Sequence, residues 1–103
     1  MILAEEIGLE KQELKDLITV FDGVETISEA ILFGSRALGI HRIGSDIDIA
    51  LKGNSNHKEW LDLMIEIDNL DFPYKFDLIQ YEKVDNQELI SHIERIGKVL
   101  YKE

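Results

Sequence analysis

The 103-residue chain contains no cysteine, so neither a disulfide nor a thiolate-held metal can form. That suits a reducing compartment, and the cytoplasm is the expected location. Proline occurs once, at Pro73. No low-complexity linker or internal repeat marks a boundary, so residues 1–103 read as one domain. No apolar run approaches the roughly 20 residues that cross a bilayer, and no membrane association is expected. The opening Met1-Ile2-Leu3-Ala4-Glu5-Glu6 has neither the basic stretch nor the long apolar segment of a secretory leader. Basic residues are scarce as well: 11 Lys and Arg stand against 21 Asp and Glu, a formal charge of −10. Gripping a long nucleic-acid backbone takes clustered cations, so direct polynucleotide binding is not expected of this chain alone.

What remains is an ordinary globular composition, 45% hydrophobic and 31% charged, enough for one modest core. Leu14, Leu17, Ile18 and Phe21 recur at helical spacing within residues 10–21, and Gly23 follows as a stop. The short, mostly apolar run Glu29-Ala30-Ile31-Leu32-Phe33, bounded by Gly34, reads as a buried strand. Residues 46–51 begin with strict alternation of acid and isoleucine, a second strand. Asn56 and Glu59 have the spacing of a capping box, predicting a helix over residues 57–69 that ends before Pro73. A third strand spans residues 75–79. Asp85 and Glu88 repeat the capping pattern, followed by a last helix whose face carries Leu89, Ile93, Ile96 and Leu100. The order is α-β-β-α-β-α: a mixed α/β (α+β) domain with a small mixed sheet of three to four strands flanked by helices.

The chemistry centres on three acids. Asp46 and Asp48, two apart on a strand, share a face that Ile47 and Ile49 do not. Two like charges so placed repel, and no Lys or Arg lies between them. A bound cation relieves that repulsion. Oxygen ligands without Cys, and without paired His, favour Mg²⁺ or Mn²⁺ over Zn²⁺. Asp77 stands alone between Phe76 and Leu78 in a run that otherwise reads as core, where an acid needs a partner or a metal. If its strand neighbours that of Asp46 and Asp48, three carboxylates meet and can hold two metal ions for in-line displacement at phosphorus. Gly34 and Ser35 supply a turn whose backbone can approach a phosphate, and Arg36 adds a fork suited to phosphate oxygens. Each piece has a bland counterpart: an acid–x–acid strand is often a solvent face, and Gly-Ser is often a plain turn. The conjunction is what argues for a site. His57 and His92 lack a second ligand one helical turn away and read as surface residues, and Trp60 reads as core.

These residues carry a resemblance. Phe33-Gly34-Ser35, nine residues, Ser45-Asp46-Ile47-Asp48-Ile49 and then Phe76-Asp77-Leu78 resemble the pattern of the DNA polymerase β-type nucleotidyltransferases. Within that superfamily the chain looks like the minimal nucleotidyltransferases (MNT proteins), over roughly residues 12–100. The resemblance implies a nucleotidyltransferase fold and a catalytic, metal-holding set of Asp46, Asp48 and Asp77, with Asp77 activating the attacking hydroxyl. It also implies a nucleotide site at Gly34, Ser35, Arg36 and Ser45, and two Mg²⁺ ions, with Mn²⁺ able to replace them. Family members commonly pair with a small helical HEPN-domain protein in toxin–antitoxin systems. The implied reaction is transfer of AMP from ATP, or of another nucleoside monophosphate from its triphosphate, to a hydroxyl such as a partner tyrosine. The chain departs from the usual Gly-Ser-Arg-Ala-Arg-Gly at Leu38, where a second basic residue is expected. That leaves open a non-catalytic module that neutralises a partner by binding it. Self-association into a homodimer also stays open.

Overall fold

The computed structural model describes residues 2–103; Met1, the first residue of the stretch tested above as a leader, lies outside them. A short 3₁₀ turn, Ala4–Ile7, precedes helix α1, Lys11–Asp22. Strand β1, Ile27–Phe33, runs directly into the five-residue helix α2, Gly34–Leu38. Strand β2, Ile47–Gly53, leads to helix α3, His57–Asp68, and strand β3, Phe76–Gln80, follows. Helix α4, Gln87–Ile96, and strand β4, Lys98–Lys102, complete the chain. The four strands form one mixed sheet in the order β3-β2-β1-β4, with β2 and β3 parallel and the other pairs antiparallel. This is the expected α+β domain, with the sheet at four strands.

The capping box of α3 forms as its spacing predicts. Asn56 accepts from the Glu59 N–H at 2.8 Å, and Glu59 accepts from the Asn56 N–H at 2.9 Å. At α4 the cap lies one residue later than expected: Asn86, not Asp85, accepts from the N–H groups of Glu88 and Leu89. The last helix is also shorter than its apolar spacing predicts. It stops at Ile96, and Leu100 belongs to β4, paired against β1. Gly97 is the reason, because a Cβ there would stand 2.4 Å from the Ile93 carbonyl oxygen and 2.6 Å from Ile31 Cγ2. The chain passes too close to its neighbours for any other residue. Ile96 and Leu100 matched a helical interval by coincidence, while the alternation of β4 was too brief to register.

The sheet separates two apolar clusters. On one face Ile47, Ile49 and Leu51 of β2 pack with Leu14, Leu17 and Phe21 of α1 and Leu63 and Ile67 of α3. On the other, Ile31, Phe33 and Ala50 meet Ile93 of α4, with Leu89 and Ile96 alongside. Burying each Ile or Leu contributes about 1.5–3 kcal/mol. The alternation of β2 therefore locks its register. Fixing Ile47 and Ile49 in the larger cluster turns Asp48 toward the α4 face.

Candidate functional site

In the sheet register Phe33 lies opposite Asp48, and Asp48 lies opposite Asp77. The three side chains therefore form a row across β1, β2 and β3 on the α4 face. Asp46 stands just before β2, exposed, at the same end of the sheet. Burial pushes the Asp48 carboxyl above the ordinary carboxylate value; the Asp77 charge and then the Asp46 charge push it further, against smaller opposing effects of His92 and Arg36. Among the described residues, no lysine or arginine forms an ion pair with any of the three acids. The structure thus sets Asp48 opposite Asp77 with Asp46 at the same end of the sheet, and none of the three has a lysine or arginine ion-pair partner among the described residues.

Their chemistry fits a hard divalent cation: oxygen donors only, clustered like charge, and no basic partner. The fit lies in the backbone placement. Among the described residues, no three Asp, Glu, His or Cys side chains already stand arranged around a single ion. Asp46 and Asp77 are exposed, so neither side chain is locked by packing.

Gly34 begins α2 with φ +77°, a left-handed conformation, and a Cβ there would lie 2.2 Å from Asp48 Oδ2. Glycine is required twice, for the backbone angle and for the approach of the carboxylate. The glycine turn and the Asp48 carboxylate are thus packed directly against each other. Ser35 is half-buried within α2.

Two residues expected at the phosphate turn are engaged elsewhere. Arg36 is only 2% exposed, and its guanidinium donates to backbone carbonyls rather than pointing at the acids' open side. The Ser45 hydroxyl accepts from the Arg42 N–H at 2.8 Å, closing the turn before β2, and the Ser45 carbonyl accepts from Arg36 Nη2 at 2.7 Å. Leu38, by contrast, is 49% exposed.

One residue at the site was missed. His92, read from sequence as a surface residue, reaches from α4 to Gly34, whose N–H donates to His92 Nε2 at 3.3 Å. Its ring sits edge-on to Phe33, with centroids 6.2 Å apart. The signal was present: position 92 lies three residues after Leu89 and four before Ile96, within the stripe that packs on the sheet. His57 is exposed, as expected, and Trp60 packs against the larger cluster.

Comparison with known proteins adds three structural likenesses. One is a toxin–antitoxin complex with AMP-PNP, at 23% identity and a TM-score of 0.66, covering 92% of this chain and 75% of that one. Another is the MntA-HepT toxin–antitoxin, at 20% identity and 0.63, with 91% and 74% covered. A third is the tri-AMPylated Shewanella oneidensis HEPN toxin in complex with MNT antitoxin, at 21% and 0.63, with 90% and 72% covered. At these identities the likeness speaks for the fold. Comparison with curated proteins gives no match. The family model described as "Polymerase beta, Nucleotidyltransferase" matches residues 15–103. That span runs from α1 through β4 and takes in the glycine turn and all three acids, so the chain belongs to the polymerase beta nucleotidyltransferase family.

Proposed function

We propose that this chain is a minimal nucleotidyltransferase that moves AMP from ATP to a hydroxyl on a protein partner. The observation that carries the reading is the Asp48–Asp77 pairing beside Gly34, which sets carboxylates without a lysine or arginine ion-pair partner against a glycine turn. Asp46, Asp48 and Asp77 would hold Mg²⁺, or Mn²⁺ in its place, and the bound ions spread the negative charge that builds up on the phosphates. The turn at Gly34 and Ser35 orients the triphosphate through its backbone N–H groups, after His92 Nε2 releases the Gly34 N–H. Asp77 takes the proton from the acceptor hydroxyl. The hydroxyl oxygen forms a bond to the α-phosphorus, and the bond from that phosphorus to pyrophosphate breaks.

The acceptor is proposed from the structural likenesses. Structural neighbours that are toxin–antitoxin complexes, one of them a tri-AMPylated HEPN toxin with an MNT antitoxin, support a HEPN-type partner as the acceptor; the hydroxyl we propose on it is that of a tyrosine. The toxin–antitoxin complex with AMP-PNP supports an adenine nucleotide. Among the described residues no helix is long and apolar enough to cross a membrane; the compartment we propose for the reaction is the cytoplasm.

The purified chain, its HEPN partner, ATP and Mg²⁺ should give a mass increment of one or more AMP units on the partner. Asp46→Asn and Asp48→Asn should abolish the increment while leaving a folded domain; undiminished transfer by either variant refutes the reading. A second reading has its own support. Exposed Leu38 and buried Arg36 leave the turn without a free guanidinium, as expected of a module that neutralises its partner by binding alone. In that case the partner is silenced with its mass unchanged.

A further inference from the structure

By position, Arg36 is the cation of the phosphate turn, yet it faces the other way. Nε donates to the carbonyls of Ser45 at 3.2 Å and Asp46 at 3.3 Å, and Nη2 donates to Ser45 at 2.7 Å. Nη1 donates to the carbonyls of Ile7 at 2.8 Å and Gly8 at 3.2 Å. The guanidinium also lies over the Tyr74 ring, 5.0 Å from its centroid. A buried cation persists only where its donors are satisfied, and a planar fork held by four carbonyls and a ring leaves little freedom.

Those carbonyls matter because of where Asp46 sits. Pairing in β2 begins at Ile47, so Asp46 lies outside the ladder that fixes Asp48 against Asp77. The loop before it, Arg42 to Gly44, is exposed. Arg36 binds the carbonyls of Asp46 and its predecessor directly, and the same side chain reaches the N-terminal segment. Gly8 is fitted to that contact: φ is +76°, and a Cβ there would stand 2.6 Å from both Arg36 Nη1 and His41 Nε2.

We propose that Arg36 is a positioning residue for Asp46, and that through it the N-terminal turn is part of the metal site's scaffold. Cation affinity then depends on contacts that involve none of the three carboxylates themselves. The inference rests on the transfer reading above, in which Asp46 holds metal.

The test uses the full chain without nucleotide, with Mn²⁺ binding followed by the loss of the free-ion EPR signal and folding followed by urea unfolding. Asp46→Asn serves as control and should lose binding. Arg36→Lys, which keeps the charge but not the fork, and Gly8→Ala should each bind Mn²⁺ about 10–100-fold more weakly while still unfolding cooperatively. A purely structural role would lower the urea midpoint and leave the affinity of the folded protein unchanged. Wild-type affinity in either folded variant overturns the inference. If Asp46→Asn itself binds like wild type, the transfer reading falls and takes this one with it. The wild type gives an independent reading, because coupling is reciprocal. Mg²⁺ should slow amide exchange at Gly8 and Leu9, whose N–H groups bond within the N-terminal turn to the Glu5 and Ala4 carbonyls. Unchanged exchange there also overturns it.

Discussion

The two faces of β2 show how differently one strand can be held. On one side Ile47 and Ile49 are fully buried among α1 and α3, where each side chain is replaceable by something of like shape and apolarity. On the other, Asp48 is half-buried between two further acids and a glycine whose missing Cβ it fills. The first face stabilises the fold through area. The second costs stability, and only a ligand that joins those carboxylates would return it. A strand with one face built for cohesion and the other carrying unrelieved charge argues for function more strongly than either face alone.

That contrast can be broken from either side. The largest stability effect is expected on the apolar face. Ile49→Ala should cost about 2–5 kcal/mol in urea unfolding, yet the fraction still folded should transfer AMP at the wild-type rate. A kinetic defect in that folded fraction would show that the faces are not separable. Gly34→Ala touches the boundary between them, where the positive φ and the Asp48 carboxylate both oppose a methyl group. It should cost about 1–3 kcal/mol and also cripple transfer, measured as nucleotide turnover on the partner. The smallest effect belongs to the acid itself. Folded Asp48 keeps its proton to higher pH than the ordinary 3.8, so the native state is the more protonated one between those two values. Stability from this group is therefore full below the ordinary value and declines as pH rises through the raised one. In chelator-treated protein, the stability difference between Asp48→Asn and wild type should grow in favour of Asn across that window, and saturating Mg²⁺ should reverse it at neutral pH. A flat difference across pH would remove the electrostatic basis of the comparison.

Much of this was legible in the sequence because it is local. The capping box at Asn56 and Glu59, the alternation across Asp46 to Ile49 and the glycine that ends β1 each depend on residues a few positions apart. The pairing of Asp48 with Asp77 was expected only conditionally, since a parallel register across an intervening helix is fixed by packing. The burial of Arg36 was not legible because its type suggested a ligand, whereas its contacts are with Ile7, Gly8 and Ser45, which converge only in three dimensions. His92 was missed by a search for paired metal ligands, a pattern that a hydrogen bond to a backbone N–H does not follow. Strand β4 was hidden because Leu100 continued a helical interval past Gly97.

The parallel run of β2 and β3 has one more consequence. Strands pointing the same way cannot be joined by a tight hairpin, so α3 and its flanking links act as a spacer that meters where β3 begins. A slip of a single residue in that metering would exchange the two sides of β3, sending Asp77 inward and turning Phe76 and Leu78 out to solvent. Insertions between Asn69 and Lys75 should therefore fall into two classes: those the link absorbs as a bulge, which change little, and those that shift the strand, which remove the third acid outright.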